Sequence, residues 1–335
     1  MSWNSFDFAE VGGVARRADH LAQVRLGLGE GAAAPDGEPV WDFGWAAPAP
    51  GTVKTTRTLG SVAPHLKGTW DGRTSFSLFE VGKKLTGSYL PAQKQTLGTC
   101  VSRGWSYGCN LLQFSMIAAG LLKPDGKPME FKPVAHAPIY GGSRAVGGFL
   151  APPGRDGSNG SWAAEWVTKG GVCTLEDIGD DYNSDRQAGQ MGHRGVPAAV
   201  KEMCRQHLVS DAVMVTSFEE AADCIVNGKP VIVCSDQGFT MRRDADGFDR
   251  PYGSWAHCML FGSVVVTASG RRGLGCAQSW GQNNPSGPLL PGAPDNVFGV
   301  DERTVTRMLR QQDSFSIAGI DGWAKASWPL DWVLW

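Results

Sequence analysis

In the stretch QTLGTCVSRGWSYGCNLLQFSMIAAG, residues 95–120, Cys100 follows a Gly-Thr turn and opens a segment with helical spacing. A thiol attacks a carbonyl only as thiolate, so its ordinary pKa of about 8.5 has to fall. A helix N-terminus and a neighbouring imidazolium each lower it. Cys100 is placed for the first effect. Cys109 lies nine residues deeper and precedes Asn-Leu-Leu-Gln-Phe, which reads as core; it is the second candidate nucleophile.

Such a nucleophile needs a base, and the base needs an orienting group. His257, in GSWAHCMLFGSVVV, stands 157 residues downstream of Cys100. A polar residue followed by an unbroken apolar run puts the imidazole at the start of a strand, within reach of a cleft. Another 21 residues on, GCAQSWGQNNPSGP supplies Gln278. Its side-chain amide oxygen can accept from the His Nδ1–H and fix the tautomer. The indole of Trp280 can shield that bond from water, and Asn283 and Asn284 are substitutes for Gln278.

Other motifs carry less chemistry. Cys204 and His207 have CxxH spacing, but two ligands do not hold a zinc ion and no second pair accompanies them, so no metal is expected. GLGEG and GGSRAVGG lack the flanking Lys-Ser/Thr of a phosphate loop and read as loops. RRDADGFDR lacks the twelfth-position Glu of a calcium loop and reads as an exposed turn leading into the histidine strand. No cofactor is expected.

Several elements must position these residues. A helix from Cys100 carries small or apolar residues at helical spacing, with Gly104 and Gly108 on one face where another segment can approach closely. SWAAEWVTKGG predicts a helix capped by Ser161, and PAAVKEMCRQHL another. AVMVT, SFEEAADCIVNG and KPVIVCS predict strand, helix and strand, with Ser217 and Glu220 at capping-box spacing. AHCMLFGSVVVTA and GLGCAQSW read as paired strands, ERTVTRMLRQQ as a short helix and SFSIAGI as a late strand. Helices precede strands, which gives an α+β class. Residues 1–89 are expected to form an N-terminal arm, with a short helix in FAEVGGVARRADHLAQVRLGL and an extended linker around WDFGWAAPAPG. Residues 90–285 form the expected core, and 286–335 complete the β half and add a Trp-rich tail.

From about Leu90 to Gly281 the chain resembles the papain-like (C1-type) cysteine peptidases. Gln-Thr-Leu-Gly-Thr-Cys matches the nucleophile turn, Trp-Ala-His-Cys-Met-Leu-Phe-Gly the histidine strand and Gln-Ser-Trp-Gly the family's Asn-Ser-Trp-Gly. SNGSWAAEWVTKGGV resembles the Gly-rich substrate wall with its Trp-bearing helix, and NGKPVIV the strand before the histidine. The resemblance implies a helical half packed on an antiparallel β half, with the cleft between them. It implies a thioester acyl-enzyme with Cys100 as nucleophile, His257 as base and then acid, and Gln278 as orienter. It implies Gln95, in preference to Gln93, as oxyanion donor beside the Cys100 N–H. It also implies Asn159 and Gly160 as backbone that pairs with an extended peptide. The Cys–His separation slightly exceeds the roughly 130–150 residues of papain-type enzymes, as an insertion would make it. Gln278 stands where the family has Asn, and Val101-Ser102-Arg103 stands where an aromatic follows the nucleophile.

Composition bounds the rest. The chain has 335 residues, 13 Trp, 45 Gly and a formal net charge of −2. No long basic run points to nucleic acid or an anionic membrane surface. No apolar run is long enough to span a bilayer, and the N-terminus lacks a signal-peptide pattern, so a cytoplasmic protein with eight free thiols is expected. The expected partner is a peptide or amide substrate, cell-wall amides included. The alternative is a papain-fold module of weak or no activity, such as a phage or virus particle component, whose Trp-rich tails WAAPAPGTVKTT and DGWAKASWPLDWVLW bind a protein.

Overall fold

A computed structural model describes residues 40–48, 57–150 and 156–322. The helix expected in FAEVGGVARRADHLAQVRLGL and the C-terminal tail from residue 323 onward lie outside the described residues.

Short helical turns apart, the described elements run β1 (Val40–Asp42), β2 (Phe76–Ser77), α1 (Leu78–Thr86), α2 (Cys100–Ala118), α3 (His136–Val146), α4 (Gly160–Lys169), α5 (Asp185–Arg194) and α6 (Ala198–Cys204). Then follow β3 (Ala212–Met214), α7 (Phe218–Val226), β4 (Val231–Arg243), β5 (Asp249–Val266), β6 (Arg272–Ala277), β7 (Val297–Asp301), α8 (Glu302–Leu309) and β8 (Phe315–Ile317). The sheet has the order β3-β8-β4-β5-β6-β7, and β1 and β2 also pair with β5. A helical half thus packs on an antiparallel β half, as expected. No described helix is long and apolar enough to cross a membrane.

α2 is the hinge of the fold. Every residue from Cys100 to Met116 is buried, as in a helix with no solvent face. Gly104 and Gly108 let it lie against the sheet. A Cβ at Gly104 would sit 3.0 Å from Cys258 Sγ on β5, and one at Gly108 2.9 Å from Ile232 Cδ1 on β4. The expected close approach is therefore made by the strands that bracket the histidine. β5 pairs with β6 from Leu260↔Ala277 to Val266↔Arg272, the pairing anticipated from the two apolar runs.

Four expectations need correction. GGSRAVGG, residues 141–148, is not a loop, because its first six residues are the C-terminal part of α3. α4 is capped by Asn159, whose Oδ1 accepts from Trp162 N at 2.8 Å; Ser161 lies inside the first turn, where it cannot be the cap. Residues 40–48 and 57–89 do not stand apart as an arm, because β1 and β2 are strands of the main sheet and α1 packs on α2. Nor are all the cysteines free: Cys173 and Cys204 form a disulfide, with Cα atoms 4.6 Å apart. The Val172 N–H bonds to the His207 carbonyl at 2.9 Å, which brings the two segments together. The other six cysteines are buried and outside any disulfide.

Candidate active site between the two halves

Cys100 is the first residue of α2, after the N-cap Thr99, and is fully buried. The loop before it is held from two sides. On the β side, Gln95 N donates to Ser279 O at 2.8 Å, and the Ser279 hydroxyl donates to Gln95 Oε1 at 2.6 Å. On the helical side, Asp185 at the start of α5 grips the loop: Oδ2 accepts from Thr96 N at 2.5 Å, and Oδ1 accepts from the Thr99 hydroxyl at 2.9 Å. Asp185 also pairs with buried Arg103 at 2.8 Å. Arg103, other partners of the loop and His136 hold its carboxyl below the usual carboxylate range, against its burial. His136 completes the cluster, with Nδ1 3.3 Å from the Ser102 hydroxyl. Burial and the Arg103 charge push its pKa down to about 3, so it is neutral. The sequence carries no distinct mark of this clamp. Its signal, a lone Asp in YNSDRQ and a lone His in VAHAP, is indistinguishable in sequence from ordinary polar residues.

His257 lies in the middle of β5, not at the strand start expected for it, because the strand already begins at Asp249; it is fully buried, opposite Ser235 of β4. Trp280 stacks on its ring, with centroids 4.7 Å apart and planes at 16°. Burial alone lowers the His257 pKa to about 3, and neither ring nitrogen has a hydrogen-bond partner among the described residues. A buried donor and acceptor left unpaired carry a penalty that calls for an explanation.

Gln278 does not orient that imidazole. Its Oε1 accepts from Trp280 N, and its Nε2 donates to the carbonyl of Asn284, so the amide is turned onto its own loop. Gln is one methylene longer than the family's Asn, and that extra reach lets it fold back on the backbone. Neither Asn283 nor Asn284 bonds to the ring in its place. What Gln278 does fix is the backbone of Trp280, which in turn stacks on His257.

The cleft is filled by the chain itself. Residues 43–46 leave β1 and run across it. Phe43 N and Trp45 N both donate to Ala256 O, at 2.9 and 3.3 Å. The Phe43 ring lies 4.9 Å from the His257 ring and 4.5 Å from Trp280. Gln95 Nε2 donates to the Phe43 carbonyl at 3.0 Å. Gly44, at φ +103°, packs on Gly98, where any side chain would collide with backbone. Ala46 N donates to Ser158 O at 2.7 Å, and Ser158 N to Gly44 O at 2.8 Å, a parallel bridge. The backbone that pairs with an extended segment is therefore Ser158, not Asn159–Gly160. Asn159 is committed to capping α4, and Gly160 N bonds to Asp313 at 2.6 Å.

Cys109 sits deeper in α2, and burial raises its pKa to about 12, which suits a core thiol and not a nucleophile. Cys204 is tied up in its disulfide, and the described residues contain no group of three His, Cys, Asp or Glu side chains that could hold a metal. The RRDADGFDR stretch forms the β4–β5 turn, where Asp244 Oδ1 accepts from Asp246 N and Phe248 N at 3.0 Å each. Phe43, Ser158, Asp185 and Asp313 are contributors that sequence reading does not assign to the site; Phe43 lies inside WDFGWAAPAPG, which reads as linker, and Ser158 opens SNGSWAAEWVTKGGV.

No family model and no curated relative matches the sequence. Solved structures do. The cysteine protease xylellain from Xylella fastidiosa is 14% identical with a TM-score of 0.54, over 82% of this chain and 94% of that one. A procathepsin B from Trypanosoma congolense is 10% identical with a TM-score of 0.51, over 93% of this chain and 99% of that one. The fold is thus that of the papain-like cysteine proteases.

Proposed function

We propose that the chain is a papain-like cysteine hydrolase of peptide or amide bonds whose cleft is closed, in this conformation, by its own residues 43–46. Cys100 is the nucleophile and His257 takes its proton. The thiolate attacks the carbonyl carbon, and the resulting oxyanion is met by Gln95 Nε2 and the Cys100 N–H. His257 then returns the proton to the leaving amine. Water, deprotonated by the same imidazole, hydrolyses the thioester. Trp280, stacked on the ring, orients it where the family uses an amide side chain, so the site works as a dyad with an aromatic support.

One observation carries this reading. A single residue, Phe43, offers its carbonyl to Gln95 Nε2 at 3.0 Å while its ring covers His257 at 4.9 Å. A peptide carbonyl in the grip of the expected oxyanion donor, beside the expected base, is the arrangement a substrate cleft would impose. The partnerless nitrogens of His257 fit a group kept for a reacting partner.

The competing reading is a closed papain-fold module without turnover, favoured by the full burial of both Cys100 and His257. The two separate in an opened cleft. In full-length protein carrying Phe43→Gly and Trp45→Ala, limiting iodoacetamide at about pH 6 is expected to label Cys100 fast and alone among the cysteines. His257→Ala should abolish that rate, because an ordinary thiol is almost fully protonated there. Slow labelling of an accessible Cys100 would exclude the activated pair and leave the module.

A further inference from the structure

α8 has two unlike faces. Thr304, Val305, Met308 and Leu309 are buried. Arg303 and Arg307, with Arg310 just past the helix end, are exposed. Steps of four and three residues put these three side chains on one face, over about 10 Å of helix axis. With Arg272 at the start of β6 they border an open groove of about 650 Å³, none of whose lining residues belongs to the candidate active site. The acidic groups of the groove are already engaged. Asp301 caps the helix, accepting from Thr304 N at 3.1 Å and from the Thr304 hydroxyl at 3.0 Å. Glu302 pairs with Arg272 at 2.6 Å. Among the described residues, no acidic side chain pairs with Arg303, Arg307 or Arg310.

Helix stability does not ask for this placement. Arg303 sits in the first turn, where the helix dipole disfavours a cation, and Arg303 and Arg307 are like charges four residues apart. The whole chain carries a net charge of −2, so three unbalanced cations on one face are a local feature, suited to an anionic partner. The lining decides which anion. Arginine forks match carboxylates bidentately. In an extended peptide, side chains on one side recur every 6–7 Å or so, close to the roughly 6 Å of axis between Arg303 and Arg307. A nucleic-acid strand suits the groove less. No aromatic ring lines it for a base to stack on. Asp301 and Glu302, at its end, accept from a peptide's N–H groups but repel phosphates.

We propose that the arginine face of α8 is a docking surface for an extended acidic segment of a partner protein, with carboxylates at alternate positions. The surface is separate from Cys100 and His257, and the proposal does not depend on the hydrolase reading.

The test titrates full-length protein into a fluorescein-labelled peptide of alternating glutamate and serine and reads fluorescence anisotropy at low salt. Saturable binding is expected, weakened roughly tenfold or more in about 0.5 M salt, where screening leaves a reach of only a few ångström. Arg303→Glu combined with Arg307→Glu should weaken binding by a similar factor. Arg303→Gln combined with Arg307→Gln keeps a good helix former at both positions and should weaken it in the same direction, so the test stands even where charge reversal disturbs the fold. Arg186 and Arg194, exposed on α5, serve as the control. Changing both to Glu alters net charge equally and should leave binding within about twofold. Equal weakening by that control pair would reduce the attraction to net charge and overturn the proposal, as would the absence of saturable binding. Tighter binding of an oligothymidylate of the same charge would overturn it in favour of a single-stranded nucleic acid.

Discussion

Phe43 and His257 lie face to tilted face, 4.9 Å between ring centroids, so the imidazole is sealed from water by the chain's own segment. Burial disfavours the imidazolium, and the pKa of His257 falls from 6.5 to about 3. The unfolded or opened state binds the proton first. Stability of the closed state is therefore complete above pH 6.5 and is lost as pH falls toward 3, by on the order of 4–5 kcal/mol if fully realised. His136, also lowered to about 3, acts in the same direction on unfolding of the whole molecule. Asp313 acts in the opposite one: its pKa is raised to about 6, so its protonation on acidification stabilises the closed form. That opposing effect is roughly 3 kcal/mol, smaller than either histidine's. Acid should open the cleft. Hydrogen exchange at the Phe43 and Ala46 amides, corrected for intrinsic rate, is expected to rise between pH 6.5 and 4, and the rise should shrink in His257→Phe. Unchanged protection at pH 4 would rule out this coupling.

Closure also depends on a backbone approach. Gly44 sits at φ +103° against Gly98, and a Cβ there would lie inside the neighbouring backbone. Gly44→Ala combines a disfavoured φ with a steric clash, each of which typically costs 1 kcal/mol or more. The variant should keep its circular dichroism and melting point within a few degrees while limited proteolysis cuts between residues 40 and 48 at least tenfold faster. A parallel fall in melting temperature would mean that the segment is part of the core and not a plug.

Asp185 ties the nucleophile loop to α5 through Thr96 and Thr99 and neutralises Arg103, whose side chain is 8% exposed. Removing one partner of a buried pair leaves an uncompensated charge, at about 3–5 kcal/mol. Asp185→Asn should lower the denaturation midpoint accordingly. A double substitution with Arg103→Met should recover part of that loss, because no charge is then left stranded. Full additivity of the two single effects would show that the pair is not coupled.

How far the sequence discloses this molecule depends on whether a feature is local. The α2 helix, its Gly104–Gly108 face and the β5–β6 pairing follow from 3.6- and 2-residue periodicity, and all appear as expected. The Cys100 turn and the His257 strand were readable because motif and context agree within a dozen residues. What failed was long-range. The Asp313–Trp45 bond spans 268 residues, and the Asp185–Thr96 bond spans 89. Neither end carries a local mark of its partner. Gln278 failed for a subtler reason: the motif was found, but a longer side chain chose its own backbone over the imidazole. WDFGWAAPAPG reads as linker because its composition is turn-rich, whereas the order of β1 comes from pairing with β5.

The disulfide is the remaining feature that spacing concealed, since its cysteines are 31 residues apart with no CxxC signature. It joins the end of α6 to the turn after α4, closing the segment that includes Asp185. A cross-link over a loop of this length removes about 3–4 kcal/mol of unfolded-state freedom. Cys173→Ser should therefore lower the midpoint in denaturant without changing the alkylation rate of Cys100 in the opened cleft, because the bond lies away from the dyad. Adding reductant to the parent protein should reproduce the loss, and adding it to Cys173→Ser should do nothing further. If reductant leaves the parent midpoint unmoved, the two thiols are unpaired in solution. The expectation of free cysteines would then hold for all eight.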